Sequence, residues 1–245
     1  MSITKTLAVL LSVFTVSAAH AIPILKQTAQ GSYTTNVLGG SSWTTFTSIL
    51  TASNTLTSTT DFSNSSQLSQ YGAVWVDQEL GDTLSSAEIS SLQNYIAAGH
   101  KVVLIGENSS WAAWNNSLMS VVGGSMTSDC SRAIGTPLVN NALTAGVSQV
   151  ENVCGDTLNN VGPVTMLFNN DMAGLYSIGA GQALVITDSN WNDNGDIGLV
   201  NNRAFAQDVV SWISTPVSGN VPEPASLALL GIGLVGLKMS RRKKA

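Results

Sequence analysis

The sequence is poor in charge: only 10% of its 245 residues are charged, and it has two cysteines and two histidines. Basic residues are scarcest in the segment 22–221, which holds Lys26, Lys101, Arg132 and Arg203. That segment also holds fourteen acidic residues, the chain's fifteen less Glu223, so its net charge is −10 against −5 for the whole chain. Binding to a phosphate backbone needs clustered lysines and arginines. We therefore exclude nucleic acid as a partner.

Long apolar runs are also absent, and the two most apolar stretches lie at the ends, at residues 7–19 and 225–237. The first follows Lys5 and ends at Ala19-His20-Ala21, a pattern that predicts a signal peptide over residues 1–21, cut by signal peptidase after Ala21. The second spans about 20 Å as a helix, less than the ~30 Å hydrocarbon core, and basic residues follow it. We interpret residues 225–245 as a short transmembrane helix with a basic, cytoplasmic tail.

The tripeptide Pro222-Glu223-Pro224 stands immediately before the second apolar run. Together with the short helix and the basic end, it resembles the PEP-CTERM sorting signal of exported Gram-negative proteins, over about residues 221–245. The resemblance implies recognition at Pro222, Glu223 and Pro224 by an exosortase-type transpeptidase. The protein would sit in the inner membrane before processing and at the cell surface or outside the cell afterwards, usually in bacteria that make exopolysaccharide. An ordinary anchor that is never cut is the alternative.

The two cysteines, Cys130 and Cys154, are too few for a structural metal site, which commonly has four ligands. In an exported chain such a pair predicts a disulfide. Closing this loop would stabilise the fold by about 3–4 kcal/mol in the chain-entropy model.

Short β-rich runs alternate with helical patterns from Ser32 onward, which predicts one α/β domain with a mostly parallel sheet over residues 28–215. A linker, 216–224, follows it. The expected strands are Tyr33–Leu38, Ala73–Val76, Lys101–Ile105, Val164–Phe168, Gly174–Ile178 and Gln182–Thr187. The expected helices have apolar stripes within residues 43–50, 89–96, 111–118 and 205–213. Residues 125–160 are expected to form an irregular excursion or small antiparallel pieces pinned by the disulfide.

This order resembles the class I glutamine-amidotransferase-like fold, a flavodoxin-like three-layer αβα sandwich, in segments 73–108, 185–191 and 202–213. In active members a cysteine occupies the turn after the strand that matches Val102 to Ile105, and a histidine in a later loop activates it. Here the turn is Gly106-Glu107-Asn108-Ser109, and His100 is the only histidine after residue 21. The resemblance therefore implies a domain without the nucleophile, and a serine triad lacks a suitably placed base.

Three acids, Asp77, Glu107 and Asp188, follow the carboxyl ends of predicted strands, where open α/β sheets bind ligands. Carboxylates there could bind a cation, hydrogen-bond sugar hydroxyls, or act as an acid/base pair in glycoside cleavage. Their alternative role is to cap the helix or turn after each strand. Trp191, near the same edge, is a candidate for stacking on a sugar ring, with packing in the core as the alternative.

The segment 188–196 has an oxygen-bearing side chain at every second position, which resembles the start of a calcium loop. Its candidate ligands are Asp188, Asn190, Asn192 and Asp196. Asp193 stands where a calcium loop needs glycine, and Leu199 where it needs a bidentate glutamate. A solvated Asn/Asp-rich loop is the alternative, and no other cofactor is expected.

These observations favour an exported, non-catalytic surface or matrix protein associated with exopolysaccharide. A carbohydrate-active hydrolase that uses the three acids is the first alternative. A calcium-dependent binding module is the second.

Overall fold

The computed structural model describes residues 21–28, 35–77, 83–159 and 161–215. The strands are β1 Ile22–Gln27, β2 Asn54–Thr59, β3 Ala73–Val76, β4 Lys101–Ile105, β5 Met126–Gly135, β6 Val150–Leu158, β7 Val164–Met166, β8 Ala173–Ile178 and β9 Gly181–Ile186. The α-helices are α1 Thr44–Thr51, α2 Ser65–Leu68, α3 Ser86–Ala97, α4 Ala112–Ser120 and α5 Asn202–Ser214.

Seven strands form one sheet in the order β2-β1-β3-β4-β9-β8-β7. The first five of these are parallel, and β8 and β7 extend the sheet as antiparallel strands. The parallel part has the 2-1-3-4-5 order of flavodoxin-like folds, with β9 as the fifth strand. The predicted α/β class with a mostly parallel sheet is confirmed.

Helices cover both faces of the sheet, because the central strands carry apolar side chains on both of their faces. In β3, Trp75 packs with the helices α1 and α5, whereas Val74 and Val76 pack with α3 and α4. Strand β4 alternates in the same way and is buried throughout. Two apolar clusters therefore lie on opposite faces of one sheet, which gives the three predicted layers.

Helix α3 begins and ends as its sequence predicts. The Ser85 side chain accepts a hydrogen bond from the Glu88 backbone N–H, and the Glu88 carboxylate accepts one from the Ser85 backbone N–H. Gly99, with φ of 104°, follows the helix in the left-handed conformation that glycine adopts without strain.

The first strand is not where the sequence predicts it. Residues 35–38, the described part of predicted strand Tyr33–Leu38, form bends and a turn, and the first strand is β1, Ile22–Gln27. The sheet therefore starts before residue 28, the predicted domain boundary. The sequence analysis missed this strand because it contains Pro23, and proline is rare in central strands. Here Pro23 is the second residue of the strand, and proline is tolerated near a strand's start. Strand β2 also escaped prediction because serine, threonine and asparagine dominate it.

Strands β5 and β6 form a separate antiparallel pair, with register shifts between Thr127 and Ala133. The predicted disulfide is confirmed: Cys130 on β5 is bonded to Cys154 on β6, with the two Cα atoms 4.4 Å apart. The expectation of small antiparallel pieces pinned by a disulfide is therefore correct. We call this pair the β5–β6 hairpin.

The predicted signal peptide, linker and transmembrane helix fall on residues 1–20 and 216–245, outside the described residues. Among the helices that the structure describes, none has the length and apolar character needed to cross a membrane.

Candidate functional site

The three predicted acids lie at one edge of the sheet, where β3, β4 and β9 end. Asp77, Glu107 and Asp188 are 1%, 3% and 0% exposed. We call this the carboxyl edge. Glu107 and Asp188 are neighbours, because Ser189, the residue after Asp188, donates its hydroxyl hydrogen bond to the Glu107 carboxylate. Asp77 has separate partners.

Asp77 holds the loop that follows β1. Its Oδ2 accepts a hydrogen bond from the backbone N–H of Leu38 at 2.6 Å, and Leu38 is fully buried. Burial raises the pKa of Asp77 to about 7, although the Leu38 N–H and the nearby Lys26 charge favour the ionised form. The switch point of a 2-1-3-4-5 sheet lies between β1 and β3, and here Asp77, at the end of β3, is hydrogen-bonded to Leu38 of the loop after β1.

Glu107 is held by the residues that follow β4 and β9. Its Oε1 accepts hydrogen bonds from the Asn108 backbone N–H at 3.1 Å and from Asn108 Nδ2 at 2.8 Å, and its Oε2 accepts the one from Ser189. Burial raises the pKa of Glu107 to about 7, and the negative charge of Asp188 acts in the same direction. Both carboxylate oxygens therefore have partners within the protein.

Asp188 joins the main sheet to the β5–β6 hairpin. Its Oδ2 accepts hydrogen bonds from the backbone N–H groups of Val153 and Cys154, and its Oδ1 accepts one from Asn190 N–H at 2.8 Å. Burial raises the pKa of Asp188. This pattern matches the capping role that the sequence left open as the alternative to a ligand site.

Gly155 lets the hairpin approach the carboxyl edge this closely. A Cβ atom at Gly155 would lie 2.5 Å from the Cβ of Asp188 and 2.7 Å from the carbonyl oxygen of Thr187. Only glycine fits without a shift of the backbone. Strand β6 therefore lies directly over the end of β9.

Two residues that the sequence analysis did not single out complete this polar network. The Asn115 side chain accepts a hydrogen bond from the Glu107 N–H at 3.0 Å, and donates to the Glu107 carbonyl at 2.6 Å and to Asp156 Oδ2 at 2.7 Å. Asp156 Oδ1 accepts a hydrogen bond from the Asp129 N–H at 2.7 Å. The sequence did offer one signal for Asn115, since it lies on the predicted helix next to the core residue Trp114.

Trp191 lies in the core. It is fully buried and packs against Phe205 and Phe46, with ring centroids 4.9 and 5.9 Å away. Its indole therefore presents no face on which a sugar could stack, and the packing alternative describes it. Trp111 is half-buried against the apolar cluster of α3 and α4.

Two of the four predicted calcium ligands, Asp188 and Asn190, accept hydrogen bonds from groups of the protein. Asp188 accepts backbone hydrogen bonds, and Asn190 Oδ1 accepts one from Asn36 Nδ2 at 2.9 Å. Asn192 is fully buried, and its amide atoms make no hydrogen bond among the described residues. Asp193 Oδ1 closes the loop by accepting from the N–H groups of Gly195 and Asp196. Within the described ranges, no three His, Cys, Asp or Glu side chains are grouped to hold a metal ion.

The turn after β4 carries Gly106, Glu107 and Asn108, and both cysteines of the chain are bonded to each other. The fold and this edge define a class: a flavodoxin-like α/β domain whose edge acids are buried, with Asp188 hydrogen-bonded to a disulfide-bonded hairpin. The chain also carries a sorting signal, since residues 220–244 match the PEP-CTERM protein-sorting motif. The motif marks an exported protein that an exosortase processes, with a surface or extracellular destination.

Solved structures share the fold. The mmIFT52 N-terminal domain is 14% identical, with a TM-score of 0.64 over 81% of this chain and 99% of that one. A ThuA-like protein from Bacteroides uniformis ATCC 8492 is 15% identical, with a TM-score of 0.55 over 80% of this chain and 91% of that one. A GMP synthase protein from Thermoplasma acidophilum is 10% identical, with a TM-score of 0.50 over 80% of this chain and 94% of that one.

At these identities the likeness concerns the fold alone. It agrees with the resemblance to amidotransferase-like domains. A comparison with curated protein sequences found no match.

Proposed function

We propose that this protein is a non-catalytic module of the cell surface or extracellular matrix, associated with exopolysaccharide after its PEP-CTERM tail has been processed. The main support for the proposal is that the acids of the carboxyl edge are buried and hydrogen-bonded within the protein. Glu107 and Asp188 accept hydrogen bonds on both oxygens from groups of the protein itself, beneath the β5–β6 hairpin.

The lack of a nucleophile supports the same proposal. Glu107 follows Gly106 where active amidotransferase-like domains have their cysteine, and Cys130 and Cys154 are joined in a disulfide. The amidotransferase type of reaction needs a free cysteine thiolate beside a base. His100 lies just before β4, at the opposite edge of the sheet from Glu107.

The hydrolase alternative requires an acid that water and substrate reach. Glycoside cleavage uses two carboxyl groups that flank the bond, one of which protonates the leaving group. Asp77, Glu107 and Asp188 are each at most 3% exposed. We therefore assign these acids a structural role, which leaves them out of reach of a substrate.

A comparison of binding with turnover tests the proposal. A recombinant version of the protein that contains residues 22–221 is incubated with exopolysaccharide from the bacterium that makes the protein. We expect co-sedimentation with the polymer and no new reducing ends.

A matched variant, Glu107→Gln, keeps the size of the side chain and removes its charge, so we expect unchanged binding. Release of reducing ends by the unaltered protein, abolished by Glu107→Gln, would establish the hydrolase instead. Absence of binding to the polysaccharide would refute the matrix role.

A further inference from the structure

All five parallel strands begin at the edge of the sheet opposite the acids. Their first residues are Ile22, Asn54, Ala73, Lys101 and Gly181. The register places these residues side by side, for example Ile22 beside Asn54 and Ala73 beside Lys101. We call this the starting edge, and define it by residues 22, 51–53, 69–72, 98–100, 161–163, 179–180 and 215.

Both ends of the domain lie at the starting edge. Lys101 donates hydrogen bonds to the carbonyl groups of Trp212 and Thr215, and so fixes the end of α5 beside the start of β4. Asn54, the partner of Ile22, hydrogen-bonds the hydroxyl of Ser214 at 2.9 Å. The chain therefore leaves towards its sorting tail from this edge, and cleavage after Ala21 would put the new α-amino group there.

The connection to the tail is short. Nine residues, 216–224, separate Thr215 from the apolar run that begins at Ala225. At about 3.5 Å per residue, these can span at most ~30 Å. A tail inserted in the membrane therefore keeps the starting edge within about 30 Å of the lipid surface. When the domain settles on the lipid, charged groups on the face that meets it lie within the ~8 Å screening length of the lipid phosphates, so the sign of those charges affects which face that is.

Acidic residues are absent from the starting edge. None of the residues that define it is aspartate or glutamate. The acids of the described residues lie instead at the carboxyl edge, its adjoining loops and the hairpin, except Asp208 within α5: Asp61, Asp77, Glu88, Glu107, Asp129, Glu151, Asp156, Asp171, Asp188, Asp193 and Asp196.

Three cations, Lys26, Arg132 and Arg203, also lie on the carboxyl side, where the acids outnumber them. The domain is therefore charged at one end and free of acids at the end that carries its tether.

We propose that the starting edge lies against the anionic outer surface of the cytoplasmic membrane while the tail is still inserted, with the acidic carboxyl edge directed outwards. This inference rests on the proposed function, in which the tail is processed, and on the insertion of that tail in the membrane before processing. Anionic phospholipid repels the carboxyl edge and does not repel the starting edge, so the tether and the charge favour the same orientation.

Hydrogen–deuterium exchange of the full chain tests this orientation. The protein is reconstituted in vesicles of three parts phosphatidylethanolamine to one part phosphatidylglycerol, and compared with the same protein in a neutral detergent. We expect several-fold slower exchange in vesicles for amides of residues 51–53, 69–72 and 98–100. Exchange in residues 106–111 and 188–196 should be the same in both.

Two matched sets of substitutions test whether the charge of the starting edge causes the slower exchange in vesicles. The first adds three acids at exposed positions of the starting edge: Ser53→Glu, Gln70→Glu and Ala180→Glu. The second adds three at exposed positions on the carboxyl side: Thr83→Glu, Ser110→Glu and Ala112→Glu. We expect the first set to abolish the slower exchange and the second to preserve it, with both variants melting near the unaltered protein.

The outcomes are distinguishable. A protected tail, residues 225–237, with an unprotected starting edge would overturn this inference alone. Equal loss of protection in the two variant sets would also overturn it. An unprotected tail would refute membrane insertion itself, and this inference with it.

Discussion

Asp77 and Glu107 are carboxylic acids that the fold holds almost without water. Burial raises the pKa of each to about 7, from ordinary values of 3.8 and 4.5. The folded protein therefore keeps protons that the unfolded chain loses near pH 4. A raised carboxyl pKa contributes stability that is complete below the unfolded value and is lost as pH rises through the folded one.

We expect the free energy of unfolding to fall as the pH rises from about 4 to 7. One pKa unit corresponds to about 1.4 kcal/mol, so each of these groups contributes on the order of 2–4 kcal/mol to the fall. Urea denaturation at a series of pH values measures it. Asp77→Asn keeps an acceptor for the Leu38 N–H and removes one titration, so its curve should be flatter; parallel curves for the two proteins would contradict the assignment.

The sequence predicted that these acids lie at one edge of the sheet, and it did not predict that they are buried. Asp77, Glu107 and Asp188 follow strands whose apolar runs are plain, so their placement at one edge follows from the fold class alone. Their burial depends on contacts between residues that are distant in the chain: Asp77 with Leu38, Glu107 with Ser189, and Asp188 with the β5–β6 hairpin. Hydrogen bonds between distant residues, such as Asn115 to Asp156, leave no local pattern in a sequence.

The β5–β6 hairpin is the element that covers the carboxyl edge. Cys130–Cys154 joins its strands where the register shifts, and the backbone of β6 is hydrogen-bonded to Asp188. Reduction of the disulfide should cost about 3 kcal/mol in the chain-entropy model. For a domain of this size, that corresponds to a melting temperature about 6–12 °C lower.

Thermal melting with and without reductant measures this loss. The double variant Cys130→Ser, Cys154→Ser should melt at the lower temperature under both conditions. An unchanged melting temperature on reduction of the unaltered protein would show that the hairpin does not depend on its disulfide.

Gly155 gives a second test of how the hairpin packs. The Cβ of Gly155→Ala would clash with Asp188 and with the Thr187 carbonyl, so we expect a loss of about 1–3 kcal/mol in unfolding free energy. Gly198→Ala is the matched control, because no atom lies within 4 Å of a Cβ there. Equal stabilities of the two variants would mean that β6 does not lie directly on β9.

Elements with a strong local signal were predictable. Helix α3 has a capping box and a following glycine, β3 is a continuous apolar run, and β4 is apolar from Val102 to Ile105. Strands β1 and β2 lack such signals, since one contains Pro23 and the other is polar. Their strand conformation comes from pairing with each other and with β3, which is a tertiary effect.

At the scale of the whole molecule, the PEP-CTERM motif predicts a cut that separates the domain from its tail. We expect the surface form to lack residues 241–245 by mass spectrometry. Replacement of Pro222 and Pro224 by alanine should leave the full-length chain in the membrane fraction, because the processing enzyme no longer finds its motif.

Pro216→Ala is the control for a proline in the same linker outside the motif, and it should be processed normally. A surface form that still ends at Ala245 would make the tail a permanent anchor. The acidic segment 22–221, with its net charge of −10, would then remain covalently joined to the basic tail.

The position of β1 has a practical consequence for anyone who produces this protein. The strand begins at Ile22, the first residue after the predicted signal cleavage site, and lies between β2 and β3. A recombinant version that starts at residue 28, or an exopeptidase that trims a few residues from the secreted form, would remove an inner strand and leave β2 without a neighbour. Expression from Ile22 is therefore the shortest version that we expect to yield folded material.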